Sequence, residues 1–423
     1  MTPPVLLIPG HPNSSDLWLP LSEMTTLCFL YPQSAQYAES LGVRGALSVA
    51  QFLDADAHER ALNATAQLTA RLMGQIDAVG RRITSIVGTQ GPTALNGKFA
   101  DWFGGFSMHH LRERLIELAA LDALRDRLAA QSIPLVGCVT HEDVSIDTRA
   151  LVLWCKENEL PTIHVPHANC HLRADGGPDI HRESICDWLC AAGPYMQRWY
   201  IANGYPEDRI TITGAPYWDS LYENDLPSRR EARAALGLKA DDLVLTYAST
   251  WTQTTGLRGG WDLELNTGLK AVVDLAVKQD ARLIISIHPH AGPGTDEAYA
   301  QVIRAANIGG LVTRAHRNYT LRASDVVIAQ GPSNVCIDAA ILGTPSAYLR
   351  TDGFDYEHEL PYRCDPDDLE IAVNAALSSK DDPRWQDFIR EYNDVHPRGG
   401  ASERVVEVVK EKCLSLTSEP TTR

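Results

Sequence analysis

Short apolar runs alternate with longer segments of helical periodicity along most of the chain. The runs Val5–Ile8, Leu243–Tyr247 and Val326–Ala329 are mostly aliphatic or β-branched and are bounded by turn-forming residues. Such runs are typical of strands that are buried on both faces of a sheet. Because strands and helices alternate, the pattern predicts parallel sheets that are covered by helices on both sides.

Two helices with a strand between them are predicted in the first third of the chain. Apolar residues recur at helical spacing over 55–79 and over 108–130, and Ser107 is placed to cap the second helix. The run Ile83–Val87 is predicted as a strand. Residues 91–106 are rich in glycine and aromatic residues, and we interpret them as a loop that packs on the core, with a substrate loop as the alternative.

The length of the chain predicts two domains. A single hydrophobic core stops growing at about 250–300 residues, and this chain has 423. We predict an α/β fold with two Rossmann-like domains, over residues 1–225 and 226–383, because a charged stretch separates two series of strands and helices near residue 225. A C-terminal helical segment with a loose tail is predicted over 384–423.

Composition and charge argue against several classes of function. The formal net charge of −16 argues against bulk binding of nucleic acid or anionic membranes, which requires a basic surface. No run approaches the roughly 18 apolar residues of a membrane-spanning helix, and we find no signal peptide. The nine cysteines follow no disulfide framework, so we predict reduced thiols and a cytoplasmic protein.

The segment 323–345 predicts a strand, a tight turn and a helix. Gly331 permits the turn, Ser333 or Asn334 is placed to cap the helix, and Gly343 is placed to end it. A helix start of this kind aims backbone N–H groups and the positive end of the helix dipole at one point, which suits a nucleotide diphosphate. The alternative is an ordinary connection between a strand and a helix.

Polar residues at other strand ends are predicted to complete a donor-binding site. Ser249 and Thr250 follow one strand, and His288 and His290 follow the next. Hydroxyl and imidazole groups at neighbouring strand ends can bind phosphate oxygens and stabilise charge on a leaving group. Asp338, one turn into the helix, is a candidate acceptor for ribose hydroxyls; the alternative is that it faces solvent.

Candidate general bases come from the first half of the chain. His11 follows the first predicted strand, and His141, His167 and His171 follow later strands. We predict that His11 or His167 takes the proton from an acceptor hydroxyl. Histidines and cysteines crowd residues 164–190, but their spacing matches no standard zinc site, so we predict no metal.

The second half of the chain resembles the nucleotide-binding half of GT-B glycosyltransferases. It is most similar to the branch that contains CDP-glycerol glycerophosphotransferases and capsule-polymer transferases. The similar residues are His288-Pro289, Ser324-Asp325, Ser333-Asn334, Asp338, Pro345, Asp352–Tyr356 and, at the end of the first domain, Thr213–Asp219.

The sequence departs from the motifs of this family at two places, and both concern which donor the protein would bind. Gly331-Pro332 stands where the family usually has an acidic or aromatic residue, and Pro166-His167-Ala168 stands where it has a histidine-glycine pair. The sequence therefore leaves two candidate donors, a nucleotide sugar and CDP-glycerol. Gly10-His11-Pro12 is similar to the first loop of inverting sugar transferases, and Leu342–Pro345 is similar to UDP-N-acetylglucosamine 2-epimerases, which share the fold.

The resemblance implies a transferase of GT-B architecture, with an interdomain cleft in which the first domain binds the acceptor and the second binds the donor. The reaction it implies is transfer of a sugar or glycerol phosphate to an acceptor hydroxyl, with the nucleotide donor as co-substrate and no further cofactor. The alternatives are a nucleotide-sugar epimerase and a non-catalytic nucleotide-sugar-binding protein; a hydrolase lacks its Gly-x-Ser-x-Gly motif here. The sequence does not identify the acceptor; the candidates are a glycan, a lipid, a small molecule and a modified base.

Overall fold

Parallel strands form two sheets in the part of the chain that the structure describes. The computed structural model describes residues 2–87, 95–167, 184–222, 225–249, 267–288, 294–315, 317–350, 355–393 and 400–415. The strands are β1 Val5–Ile8, β2 Thr26–Phe29, β3 Leu47–Ser48, β4 Leu135–Thr140, β5 Thr162–His164, β6 Trp188–Ala191, β7 Ile210–Ile212, β8 Val244–Ala248, β9 Arg282–Ser286, β10 Gly310–Thr313, β11 Val326–Gln330, β12 Ser346–Leu349 and β13 Tyr362–Cys364.

The strand orders are those of doubly wound sheets. The first sheet has the order β3-β2-β1-β4-β5-β6-β7, and the second has the order β10-β9-β8-β11-β12-β13. Neighbouring strands pair in parallel, for example β1 with β4 and β8 with β11. Parallel strands require crossover connections, which the helices between them supply.

Helices separate the strands in both halves of the chain. They are α1 Trp18–Ser22, α2 Pro32–Ser40, α3 Ala55–Val87, α4 Leu95–Ala130, α5 Ile146–Glu157, α6 Pro194–Ala202, α7 Arg229–Ala235, α8 Thr267–Lys278, α9 Thr295–Ala305, α10 Arg317–Ala323, α11 Asn334–Ile341, α12 Leu369–Ser378, α13 Arg384–Tyr392 and α14 Ala401–Val409. The predicted α/β class with two Rossmann-like sheets is confirmed.

The chain forms two compact units. One comprises Met1–Val165, Ser184–Leu189 and Val405–Arg423, and the other comprises Pro166–Glu183 and Cys190–Arg404. The predicted boundary near residue 225 falls between β7 and β8. The division at residues 225 and 383 stays a prediction.

Each sheet has its own apolar core because its central strands are buried on both faces. In the second sheet, every residue of β8 is buried, and so are Val326–Ala329 of β11. The core beside it includes Leu245, Ile285 and Ile328, all with no exposed surface. In the first sheet, residues of β1 pack with residues of α4 such as Leu124.

The structure corrects the predictions for the region between β3 and β4. Ile83–Val87 is not a strand but the last part of helix α3, and α4 begins at Leu95, so Ser107 lies inside it and 95–106 is not a loop. The apolar spacing of residues 76, 79, 83 and 86 continues the helical period of α3. The strand prediction for Ile83–Val87 is therefore wrong, because these residues follow the helical period and not the period of a strand. Residues 88–94 lie outside the described part.

No helix among the described residues is long and apolar enough to cross a membrane.

Candidate functional site

The second sheet has its topological switch point between β8 and β11. From β8 the chain continues through β9 to β10 on one side, whereas β11, β12 and β13 lie on the other side. In open parallel sheets, ligands bind beyond the carboxyl ends of the two strands at such a point. Ser249 follows β8 there and Gly331 follows β11. The sequence-predicted donor residues on these two loops are thus neighbours in the fold.

The Ser249 side chain holds the loop that carries His288. Its Oγ accepts a hydrogen bond from the backbone N–H of His288 at 3.0 Å, and its own N–H donates to the carbonyl of Ser286 at 3.0 Å. Ser249 is buried and His288 is half-buried. Ser249 therefore positions His288, a role that the sequence did not suggest. The other two predicted residues of these loops, Thr250 and His290, lie outside the described residues.

Helix α11 begins as predicted. Ser333 has extended backbone angles, and its Oγ accepts from the N–H of Val335 at 3.4 Å, so it is the N-cap residue and Asn334 is the first residue of the helix. The Ser333 carbonyl accepts from the N–H of Cys336 at 2.9 Å and from the Tyr356 hydroxyl at 2.5 Å. Gly331 has φ of 79°, which confirms its turn. Nucleotide binding at this helix start stays a prediction.

Asp338 is buried in the unit that includes Cys190–Arg404. The residue is 5% exposed; the Trp218 indole N–H donates to its Oδ1, and Arg317 Nη1 lies 3.4 Å from its Oδ2. Arg317 also donates to the Tyr217 carbonyl at 2.5 Å. The alternative that Asp338 faces solvent is wrong, because the indole and the guanidinium satisfy the carboxylate in the core. Its predicted ribose contact stays a prediction.

Ser324 and Asp325, which carry part of the family resemblance, lie at the amino end of β11, at the opposite end from Gly331. The Ser324 Oγ donates to the carbonyl of Thr320 at 2.7 Å. The Asp325 Oδ2 accepts from Arg233 Nη2 at 2.7 Å and from the N–H of Val244 at 2.8 Å. This pair of residues therefore ties β8, β11 and α7 together.

The first sheet has its switch point between β1 and β4, and two histidines follow these strands. His11 comes three residues after β1, and His141 comes directly after β4. Their ring centroids are 4.6 Å apart, with an angle of 32° between the ring planes. The structure thus brings together two of the histidines that the sequence placed at strand ends.

The backbone of His11 is fixed by its neighbours. Its carbonyl accepts from both the N–H and the hydroxyl of Ser14, at 2.9 and 2.7 Å. The preceding residue, Gly10, has φ of 92°, and a Cβ there would collide with the Ser34 side chain. Ser34 Oγ donates to the Gly10 carbonyl at 2.9 Å. This loop therefore requires glycine before the histidine.

Two other polar residues near these strand ends have structural partners. His164 on β5 is buried, and its Nδ1 lies 3.3 Å from Ser184 Oγ. The Asp143 Oδ2 accepts from Ser184 Oγ at 2.8 Å and from the N–H of Ile185 at 2.6 Å. His167 is half-buried. Residues 168–183 lie outside the described part. Within the residues that the structure describes, no group of three metal-ligating side chains forms.

A charged cluster that sequence analysis missed joins α4 to Tyr31, just after β2, and to Asp147 in the first turn of α5. The Tyr31 hydroxyl donates to Asp147 Oδ2, and Arg114 Nη1 lies 2.7 Å from Glu117 Oε2 and 3.9 Å from Asp147 Oδ2. Burial raises the pKa of Glu117 to about 7, while the Arg114 charge opposes the shift and Asp147 adds to it. Helical periodicity alone does not show that polar residues of α4 meet residues that follow β2 and residues of α5.

Glu117→Gln is expected to stabilise the protein at pH 8 but not at pH 4. Because the carboxyl pKa is raised in the folded state, its stabilising contribution is complete below pH 4 and is lost as the pH rises through 7. The glutamine variant does not ionise, so its melting temperature should exceed that of the wild type by roughly 2 °C at pH 8. Glu59→Gln, at an exposed position of α3, is the control. An equal difference at both pH values would contradict the expectation.

Comparison with known proteins now identifies the family. Residues 172–411, more than half of the chain, match the model of the CDP-glycerol:poly(glycerophosphate) glycerophosphotransferase family. The chain belongs to this family. The resemblance inferred from the sequence is confirmed, and the chain is placed among transferases that use a nucleotide-activated donor.

Solved structures share the fold of this glycerophosphotransferase-family chain. UDP-GlcNAc 2-epimerase from Neisseria meningitidis is 12% identical with a TM-score of 0.57, and the match covers 97% of this chain and 100% of that one. The enzyme from Methanocaldococcus jannaschii is 14% identical with a TM-score of 0.56 over 97% and 100%. That from Rickettsia bellii is 11% identical with a TM-score of 0.55 over 97% and 96%. At such identities the likeness concerns the fold. No curated protein matches the chain.

Proposed function

We propose that the protein transfers a glycerol phosphate or a sugar from a nucleotide-activated donor to an acceptor hydroxyl, with a histidine as general base and without a metal. The observation that supports this most is the position of the capped start of α11. It lies within the family-matched residues and at the switch point of the second sheet. Ligands of doubly wound folds bind at this place.

The donor phosphates would lie against the backbone of Gly331, Ser333 and Asn334. The N-terminus of a helix favours negative charge. His288, which Ser249 positions, would lie beside the leaving phosphate. Thr250 and His290 stay predicted donor residues and lie outside the described part of the chain. Asp338 would act on the ribose only through a rearrangement of its contacts with Trp218 and Arg317.

The proposed reaction needs only side chains of this protein, a donor and an acceptor. The acceptor oxygen forms a bond to the phosphorus of glycerol phosphate, or to the anomeric carbon of a sugar, as its proton passes to His11 or His167. The bond to the nucleotide breaks, and its electron pair stays on the departing phosphate oxygen. The helix dipole and an imidazolium from His288 would stabilise that charge. This is the role that a metal has in other transferases.

Thermal denaturation with a panel of donors tests the proposal. We expect one of CDP-glycerol and the UDP-, GDP- and CMP-sugars to raise the melting temperature in the presence of EDTA. The stabilisation should be about 2.7 kcal/mol at a donor concentration 100 times Kd. Ser333→Ala should reduce this shift. Ser228→Ala removes the equivalent cap of α7 and should leave it unchanged.

Four results would contradict the proposal. The first is that no donor stabilises the protein, and the second is that EDTA abolishes the stabilisation. The third is that the protein converts a nucleotide sugar to its epimer with no acceptor present, which would establish the epimerase alternative. The fourth is stabilisation without turnover of any acceptor, which would indicate a nucleotide-sugar-binding protein.

A further inference from the structure

The paired imidazoles at the switch point of the first sheet suggest a role for a second histidine. His11 and His141 come from loops 130 positions apart in sequence, yet their ring centroids are 4.6 Å apart. The His141 side chain is 9% exposed, so it lies beneath the surface. A ring in this position restricts the orientations that the His11 ring can adopt.

A carboxylate adjoins the inner ring. Glu142 Oε1 lies 3.8 Å from His141 Nε2, and the Glu142 side chain is 18% exposed. The Ser145 hydroxyl donates to the same Glu142 oxygen, and the Glu142 N–H donates to Thr140 Oγ1 at 3.3 Å. Glu142 is therefore held by Thr140 and Ser145, and its carboxylate lies beside the inner ring.

We propose that His141 is a positioning residue for His11, and that Glu142 supplies the negative charge that stabilises the pair when His11 takes a proton. The inference rests on the proposed function, in which His11 is a candidate general base. When His11 accepts the proton of the acceptor hydroxyl, the pair of rings gains one positive charge. A fixed carboxylate nearby favours that charged form.

In many active sites a general base is oriented by a second group, which a third group orients in turn. Here His11 would be the base, His141 the second group and Glu142 the third. His141 touches the base rather than the substrate. The other carboxylates on the two loops are Asp16, in the short helix after His11, and Asp143, whose Oδ2 accepts from Ser184 and Ile185. Glu142 Oε1 is 3.8 Å from His141 Nε2, so the variants at Glu142 and His141 test this pair directly.

NMR titration of the substrate-free protein tests the positioning role directly. The His11 ring signals are assigned with His11→Gln, and their titration is compared in the wild type, Glu142→Gln and His141→Phe. Glu142→Gln removes a negative charge, so the midpoint of the His11 titration should fall by about 0.5 pH unit or more. His141→Phe keeps a ring but removes both nitrogens, so it should also move the midpoint. Circular dichroism and melting temperature show that both variants are folded.

Turnover gives the second measurement. We expect His141→Phe to lower kcat about 10-fold while the KM for the donor changes less than about 2-fold, since the donor is bound by the other sheet. His141→Asn, which retains a polar side chain, should recover part of the loss. His109→Ala, on an exposed position of α4, is the control and should change neither measurement.

The two measurements separate this inference from the proposed function. Changes in the His11 midpoint of less than about 0.3 pH unit in both variants overturn the positioning role, whether or not the protein turns over a donor. A shifted midpoint in a protein that transfers no group supports the pairing of the rings but contradicts the proposed function. A shifted midpoint together with reduced kcat supports both.

Discussion

Replacing His11 with alanine is expected to lower kcat about 10²- to 10⁴-fold, which is the usual contribution of a general base. The melting temperature and the affinity for the donor should stay close to those of the wild type. The His11 side chain is half-buried rather than part of the core, and the loop is fixed through its backbone, by Ser14 and Ser34. The loss should therefore be in the chemical step.

The measurement is single-turnover transfer from the donor that the thermal screen identifies. His167→Ala is the informative companion, because His167 is the other candidate for the base. If His11→Ala retains activity and His167→Ala does not, the base is His167, and the switch point of the first sheet has another role. If both variants retain activity, neither His11 nor His167 is the general base, and the prediction is wrong.

His11 could be predicted from the sequence because its signal is local. An apolar strand followed by Gly10 and a histidine predicts a polar residue at the carboxyl end of a parallel sheet. Ser333 and Gly331 were identified for the same reason, since caps and tight turns depend on the chemistry of one or two residues. The structure confirms both backbone roles.

Residues whose partners are distant in sequence could not be assigned in this way. The sequence pattern places Asp338 in α11, but its partners Trp218 and Arg317 come from other parts of the chain. The proximity of His141 to His11 depends on β1 and β4 being neighbours, across more than 100 intervening residues. Strand order is a property of the whole sheet, so no local pattern specifies it.

The wrong strand prediction for Ile83–Val87 has another cause. The run Ile83–Val87 has high strand propensity, but it also continues the apolar period of the helix before it. Propensity is the weaker signal when a long helix packs against another helix, as α3 does against α4. A short β-branched run at the end of a strong helical period is better read as helix.

Asp325→Ala is expected to lower the free energy of unfolding by about 3–5 kcal/mol, the range for removing one partner of a buried ion pair. The Arg233 side chain is 4% exposed, and its Nε also donates to the carbonyl of Ala323 at 3.0 Å. Without Asp325, the guanidinium charge would be buried without its carboxylate, and the Val244 N–H would lose its acceptor.

Chemical denaturation measures the effect, and Asp296→Ala is the matched control. Asp296 also pairs with an arginine, Arg314, at 2.9 Å, but their side chains are 53% and 37% exposed. An exposed pair contributes at most about 1 kcal/mol. Equal losses in the two variants would show that the Asp325 contacts do not hold the second sheet together.

Donor binding by the folded Asp325→Ala variant distinguishes a structural role from a functional one. Asp325 lies at the amino end of β11, whereas the proposed phosphate site lies beyond its carboxyl end. Below the unfolding transition, the Kd for the donor should therefore change less than about 2-fold. A large loss of affinity in the folded variant would mean that this aspartate of the family motif acts on the donor, and the donor site would then have to be sought at the other edge of the sheet.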